Sequence, residues 1–331
     1  MKHNAAKEPE TAWILLHLHL GAPLILFSMV FCALGTNGLV YSQGGPPPDP
    51  ELNSATAKMS SFERVLKSHP GDSAARKGEV DTAVTFSLAE KREHREEAAL
   101  WLLLRARYWV PDDPELLVDL GIQEDNLKLF VDADAALAES LRIRPDDLNA
   151  LYTVARVKMD LGQMQSAEQA WLLYIKHDPG NPAAYYGYGI VLQSLGRDDE
   201  GRRQFEKSIQ LNPNQAESHY RIGEIERHSG NAADARKEYG EVLARDPTHG
   251  GALTGLAILD YELKKYDQAE TGLEAAIKSV PNYRPARYYH GLTLARLGRK
   301  KEADAELSLA MQLGDKKEQQ RRLVAQPYQP N

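Results

Sequence analysis

Ten histidines, one cysteine and 47 carboxylates are the groups in this 331-residue chain that could do chemistry. Their spacing assembles none of the sets that chemistry needs. A hydrolytic zinc site places two histidines on one helix face with a glutamate between them, and no His-Glu-x-x-His occurs. His17 and His19 lie inside an apolar run, and His219 and His290 have no second ligand at helical spacing, so both are expected to pack or cap. No metal site is expected. The single Cys32 excludes an intrachain disulfide and a cysteine-built zinc site. Asp198 and Asp199 are expected at a turn between helices, without the pocket that glycoside chemistry requires. No nucleophile elbow, phosphate loop or dinucleotide fingerprint appears. Catalysis and cofactors are therefore not expected. A net charge of −7 argues against non-specific nucleic-acid binding, which needs a basic face. The runs Lys91–Glu97 and Lys316–Arg322 read as solvated helix faces.

The elements that position these groups come from a repeat. Pro111, Pro145, Pro179, Pro213, Pro247 and Pro281 recur every 34 residues, which marks a stacked architecture. With each proline at position 32, seven units run from Val80 to Lys317. Position 8 is Ser87, Gly121, Ala155, Gly189, Gly223, Ala257 and Gly291, and position 20 is equally small throughout, from Ala99 to Ala303. Position 24 is large: Leu103, Leu137, Trp171, Phe205, Tyr239, Leu273 and Leu307. Small residues let two helices of a unit approach, and the large residue fills the hollow beside them. Apolar residues at positions 4, 7, 20, 24 and 28 give each unit two amphipathic helices. Leu161-Gly162, Leu195-Gly196 and Leu297-Gly298 close first helices, where glycine can take the left-handed conformation. Asp113-Pro114 and Asn181-Pro182 read as an N-cap followed by proline at the first helical position.

This pattern resembles the tetratricopeptide repeat (TPR) family over about three quarters of the chain. The resemblance implies an all-α fold: a right-handed superhelical solenoid of helix-turn-helix repeats, with first helices lining a concave groove. Pro70 precedes Pro111 by 41 residues, seven more than the period. Residues 53–79 are therefore expected to form an irregular N-terminal unit, with a longer helix or loop near Lys77–Val80. Residues 80–317 hold the seven repeats, and residues 318–331 hold a capping helix and tail.

Upstream, residues 1–42 read as a signal peptide or membrane anchor. Trp13–Leu34 is mostly apolar and follows Lys2 and Lys7, while Thr36–Ala57 carries no Lys or Arg. That asymmetry places the N-terminus in the cytoplasm and the repeats outside. Residues 43–52 form a proline-rich linker. The expected setting is a bacterial envelope, with the chain either cleaved and extracytoplasmic (periplasmic or secreted) or anchored through Trp13–Leu34.

In the family, groove residues come from positions 2, 5, 9, 12 and 13. Carried onto this chain, they point to Tyr152, Tyr186, Tyr220 and Tyr288 as an aromatic ladder at position 5, with Arg156, Ile190 and Glu224 at position 9. Asn126, Gln193, Arg227 and Tyr261 complete the set. Tyrosine offers large contact area at low entropic cost and keeps a polar handle; the same ladder could instead pack helix against helix. The carboxylate clamp of chaperone-docking members, with Lys at position 5 and Asn at position 9, is absent. The resulting expectation is a non-catalytic scaffold holding a peptide or helix segment of envelope proteins, with homo-oligomerisation left open. The alternative is recognition of a glycan or cell-wall polymer by the tyrosine-lined groove.

Overall fold

The structure, a computed structural model, describes residues 50–325, the side chains of 51 and 316–325 excepted. The signal or anchor segment, the linker before Pro50 and the last six residues lie outside the described residues. The described residues form fifteen α-helices and no strand. None of these helices is long and apolar enough to cross a membrane.

The helices form hairpins of nearly constant size. First helices of 13 residues are α4 (Pro114–Asn126), α6 (Leu148–Asp160), α8 (Pro182–Ser194), α10 (Ala216–His228), α12 (Gly250–Glu262) and α14 (Arg284–Arg296). Each is followed by a second helix: α5 (Phe130–Ile143), α7 (Met164–His177), α9 (Asp198–Leu211), α11 (Ala232–Arg245) and α13 (Tyr266–Ser279) have 14 residues. The last, α15 (Lys300–Ala325), continues for 26 residues. Ahead of them stand α1 (Pro50–Ser68), α2 (Ser73–Arg92) and α3 (Glu96–Trp109). At 20 residues, α2 is seven longer than the other first helices, so the longer Pro70–Pro111 spacing is taken up as helix rather than loop.

Helix ends follow from local chemistry. Each period proline stands two residues beyond the end of a second helix, where it cannot extend the hydrogen-bond ladder. Asp113 accepts the amides of Glu115 and Leu116 at 3.0 and 2.9 Å, and Asn181 accepts that of Ala183 at 3.0 Å. Gly162, Gly196 and Gly298 turn out of first helices with φ of +73°, +73° and +81°. Gly230 does the same, and His94, Lys128 and Lys264 take up this left-handed turn without being glycine.

Two sequence expectations are corrected here. Lys91–Glu97 is not one helix face: Lys91 and Arg92 end α2, His94 turns with φ of 57°, and Glu96 and Glu97 open α3. Asp198 and Asp199 are not in the turn but in the first turn of α9, where carboxylates favour the positive end of the helix dipole.

The core is the interlock of positions 8 and 24. A Cβ added at Gly189 would lie 2.5 Å from the Phe205 ring, one at Gly223 2.7 Å from Tyr239, and one at Gly121 2.6 Å from Leu137. Trp171, Phe205, Tyr239 and Leu137 are essentially inaccessible, and burying side chains of this size contributes about 2–3 kcal/mol each. Successive units also touch through their first helices, with α4 against α6, α6 against α8, α10 against α12 and α12 against α14. Beyond α3 no comparable contact joins successive second helices, so the first helices form the inner row.

Candidate interaction groove

The groove residues lie on this inner row, but the tyrosines are not free. Tyr152 on α6 is half-buried with its ring edge-on to Trp171 at 5.1 Å and to Tyr174 at 5.7 Å. Tyr186 on α8 leans on Phe205 at 5.8 Å, and Tyr220 on α10 leans on Tyr239 at 6.3 Å. Each of these three rings therefore rests on the large residue of its own unit, and Tyr220 is also flanked by the His249 ring at 5.1 Å. Tyr288 on α14 differs: it is 45% exposed and sits edge-on to Tyr289 at 5.6 Å. The ladder thus combines packing with surface, in a proportion that falls on each ring separately.

The charged members are satisfied within the chain. Arg156 is exposed and reaches Asp125 at 3.5 Å. Arg227 donates to Glu224 at 3.0 Å, and Glu224 also accepts the Tyr239 hydroxyl. Burial raises the Asp125 pKa, against the pull of Arg156. Burial, then the Glu224 carboxylate and the bond to Tyr283, push the Tyr220 phenol up, so it remains a neutral hydroxyl. Ile190 packs against the Phe205 cluster, Asn126 ends α4 in solvent, and Gln193 is half-buried on α8. Tyr261 meets Tyr266 and Tyr289 edge-on at 5.6 and 6.0 Å, and its hydroxyl accepts from Arg296 at 3.4 Å.

A cavity of about 380 Å³ opens beside Tyr220, among α10, the start of α12 and the turn into α14. Its other walls include His249, Gly250, Gly251, Val280 and Tyr283. The Tyr220 and Tyr283 hydroxyls, 63 residues apart and in consecutive units, meet at 3.2 Å. A Cβ on Gly251 would fall 2.8 Å from the Tyr220 ring, and one on Gly250 would fall 2.7 Å from Val280, so the glycine pair is what leaves room. His249 caps α12: its Nδ1 accepts the Ala252 amide at 3.0 Å, so Nε2 carries the proton donated to Glu217 at 3.1 Å. Sequence reasoning missed Tyr283 and the glycine pair. Gly250-Gly251 at the opening of a helix was the available signal, since two weak helix formers there need a spatial reason.

Comparison with known proteins agrees with this geometry. Tetratricopeptide repeat profiles match residues 189–249 and 226–297. A tetratricopeptide repeat protein from Parabacteroides merdae ATCC 43184 is 17% identical, covers 74% of this chain and 97% of its own, and superposes with a TM-score of 0.63. A chain of the APC/C hetero-tetramer Cut9-Hcn1 is 14% identical, covering 83% of this chain and 54% of its own, with a TM-score of 0.58. Mouse BBSome complex member BBS4 is 24% identical over 111 residues, which are 33% of this chain and 21% of that protein. The chain thus spans about a fifth of the length of the curated relative it matches. At these identities the structural likeness concerns the fold alone.

Proposed function

We propose that this tetratricopeptide-repeat chain is a non-catalytic protein-interaction scaffold whose first-helix row holds an extended peptide or a helix of a partner. The observation that carries this reading is the cavity between Tyr220 and Tyr283. It is a space of about 380 Å³ at the start of α12 and the turn into α14, bordered by two tyrosines, a histidine, Val280 and two glycines, with room for side chains of a bound segment. On the same row of first helices, α14 adds the exposed aromatic ring of Tyr288. The sugar-binding alternative is weaker, because stacking on sugars needs open aromatic faces. Tyr152, Tyr186 and Tyr220 each give one side to a ring of their own unit.

The test is selection of peptides from a random library on the full chain. Selected peptides should lose at least tenfold in affinity for Tyr288→Ala or Tyr283→Ala protein while melting temperatures stay near the parent's. Failure to select any peptide, or selected peptides indifferent to both changes, would remove the groove as the working surface. Retention of soluble cell-wall fragments by the parent chain, with loss in Tyr288→Ala, would favour the sugar reading instead.

We further propose an extracytoplasmic setting, with partners among envelope proteins. Its support is the sequence alone: basic Lys2 and Lys7 before the apolar run, and no Lys or Arg from Thr36 to Ala57.

A further inference from the structure

We propose that Glu270, Glu274 and His290 bind a divalent first-row transition cation, for which zinc is the probe, and so pin α13 to α14. One potential ligand atom from each residue lies within 4.8 Å of the other two. Glu270 and Glu274 are one helical turn apart on α13 and face the same way. His290 comes from the middle of α14, which packs against α13.

The independent pointer to a ligand is the imidazole. His290 is 9% exposed, and neither of its ring nitrogens has a hydrogen-bond partner. A buried polar ring left in that state is costly, and such groups in folded proteins call for a specific explanation. The carboxylate of Glu306 on α15 comes no nearer than 3.7 Å to Nδ1 and is held by Arg287 through bonds of 2.8 and 3.2 Å. Glu306 therefore lies near the ring without satisfying either nitrogen.

The repeat provides its own control. One junction of this solenoid holds Glu168, Leu172 and Tyr188 at the same three places. There the Tyr188 hydroxyl donates to Glu168 at 3.2 Å, Arg197 holds the same carboxylate, and no group is left over. At the α13–α14 junction leucine has become Glu274 and tyrosine has become His290. Both changes add a ligand type, and no other junction of the repeat puts two carboxylates and an imidazole at these places. Nitrogen from one imidazole with two carboxylate oxygens suits zinc and its neighbours, and three protein ligands leave a position for water. Ligand atoms around tetrahedral zinc stand about 3.4 Å apart, so the three groups, now within 4.8 Å of one another, need to close by at most about 1.4 Å, and Glu274 is exposed and free to move toward the others.

Arg299 competes for the site. It pairs with Glu270 and, through bonds of 2.8 and 2.5 Å, with Glu302. Cation binding leaves Arg299 on Glu302 alone, so Arg299 weakens the site without abolishing it.

Zinc titration calorimetry on the full chain, with melting by circular dichroism in zinc and in chelator, tests this. The parent should take up zinc at a site that raises its melting temperature. Glu274→Gln alters only an exposed side chain, and His290→Tyr installs the residue that Tyr188 supplies at the other junction, so both should fold. Each should weaken zinc at least tenfold and lose the zinc-dependent rise in melting temperature, whereas Arg299→Ala should tighten binding. A parent that binds no zinc, or parent and both variants that bind it alike, would overturn the site.

Discussion

The ring of Tyr152 stands 5.1 Å from that of Trp171 and nearly perpendicular to it, at 85°. Tyr186 and Phe205 meet at 5.8 Å and 51°, and Tyr220 and Tyr239 at 6.3 Å and 40°, so in each of these units the groove ring leans on the core ring, but only Tyr152 does so edge to face. Edge-to-face pairs add about 0.5–1.5 kcal/mol beyond the area they bury. Tyr152→Ala should therefore cost about 2–3 kcal/mol in urea unfolding, while the exposed Tyr288→Ala should cost less than about 1 kcal/mol. Equal midpoints for the two variants would mean that the ladder does not lean on the core.

Two glycines in helices should respond with opposite sign. A Cβ on Gly187 would lie 2.4 Å from the Trp171 ring, so Gly187→Ala should destabilise by about 1–3 kcal/mol. Gly240 on α11 is exposed with nothing within 4 Å of a new Cβ, so Gly240→Ala should stabilise by about 0.5–1 kcal/mol through helix propensity. Thermal melts of the two proteins decide it, and a shift in the same direction for both would contradict the packing.

Stability should fall as pH rises through neutrality. Glu79 is fully buried, and neither carboxyl oxygen has a hydrogen-bond partner. Burial first, and then the Glu63 carboxylate, push its pKa up to about 8 from 4.5, against the pull of Arg105. Burial and then Asp132 push Glu124 up to about 8 as well, with Arg107 opposing. The folded chain keeps protons that the unfolded chain releases. The stability these groups lend is complete below about pH 4.5 and is lost as pH rises towards about 8. Urea midpoints between pH 5 and 8 should decline accordingly. Glu79→Gln should flatten part of that slope and gain about 1–2 kcal/mol at pH 8. A variant that keeps the parent's slope would show that Glu79 does not titrate as described.

The proposed sidedness is tested by fusion. An enzyme active only after export, joined at the C-terminus, should be active, because the basic residues precede the apolar run. Activity of a cytoplasm-only reporter at the same position would reverse the topology.

What the sequence determined by itself was the repeat and its interlock. A 34-residue proline period, small residues at positions 8 and 20 and a large one at position 24 are statements about single positions. They repeat because each unit meets the same local geometry. The helix ends were legible for the same reason: Asp113, Asn181 and the Leu-Gly pairs act within a few residues of themselves. The missed turns show the limit, since Lys128 and Lys264 take the left-handed conformation with no glycine to announce it. Tertiary structure decided everything that depends on a partner from another helix. Only stacking revealed that Tyr152, Tyr186 and Tyr220 lean on Trp171, Phe205 and Tyr239. Likewise, Tyr220 meets Tyr283 across 63 residues, and Arg156 is engaged by Asp125 of the preceding unit. His290 had no second ligand at helical spacing on its own helix because its companions, Glu270 and Glu274, lie on the helix before it. Spacing along one helix reports one face of that helix, whereas a site between helices needs the angle and register at which two faces meet, and those are set by the packing of the whole stack.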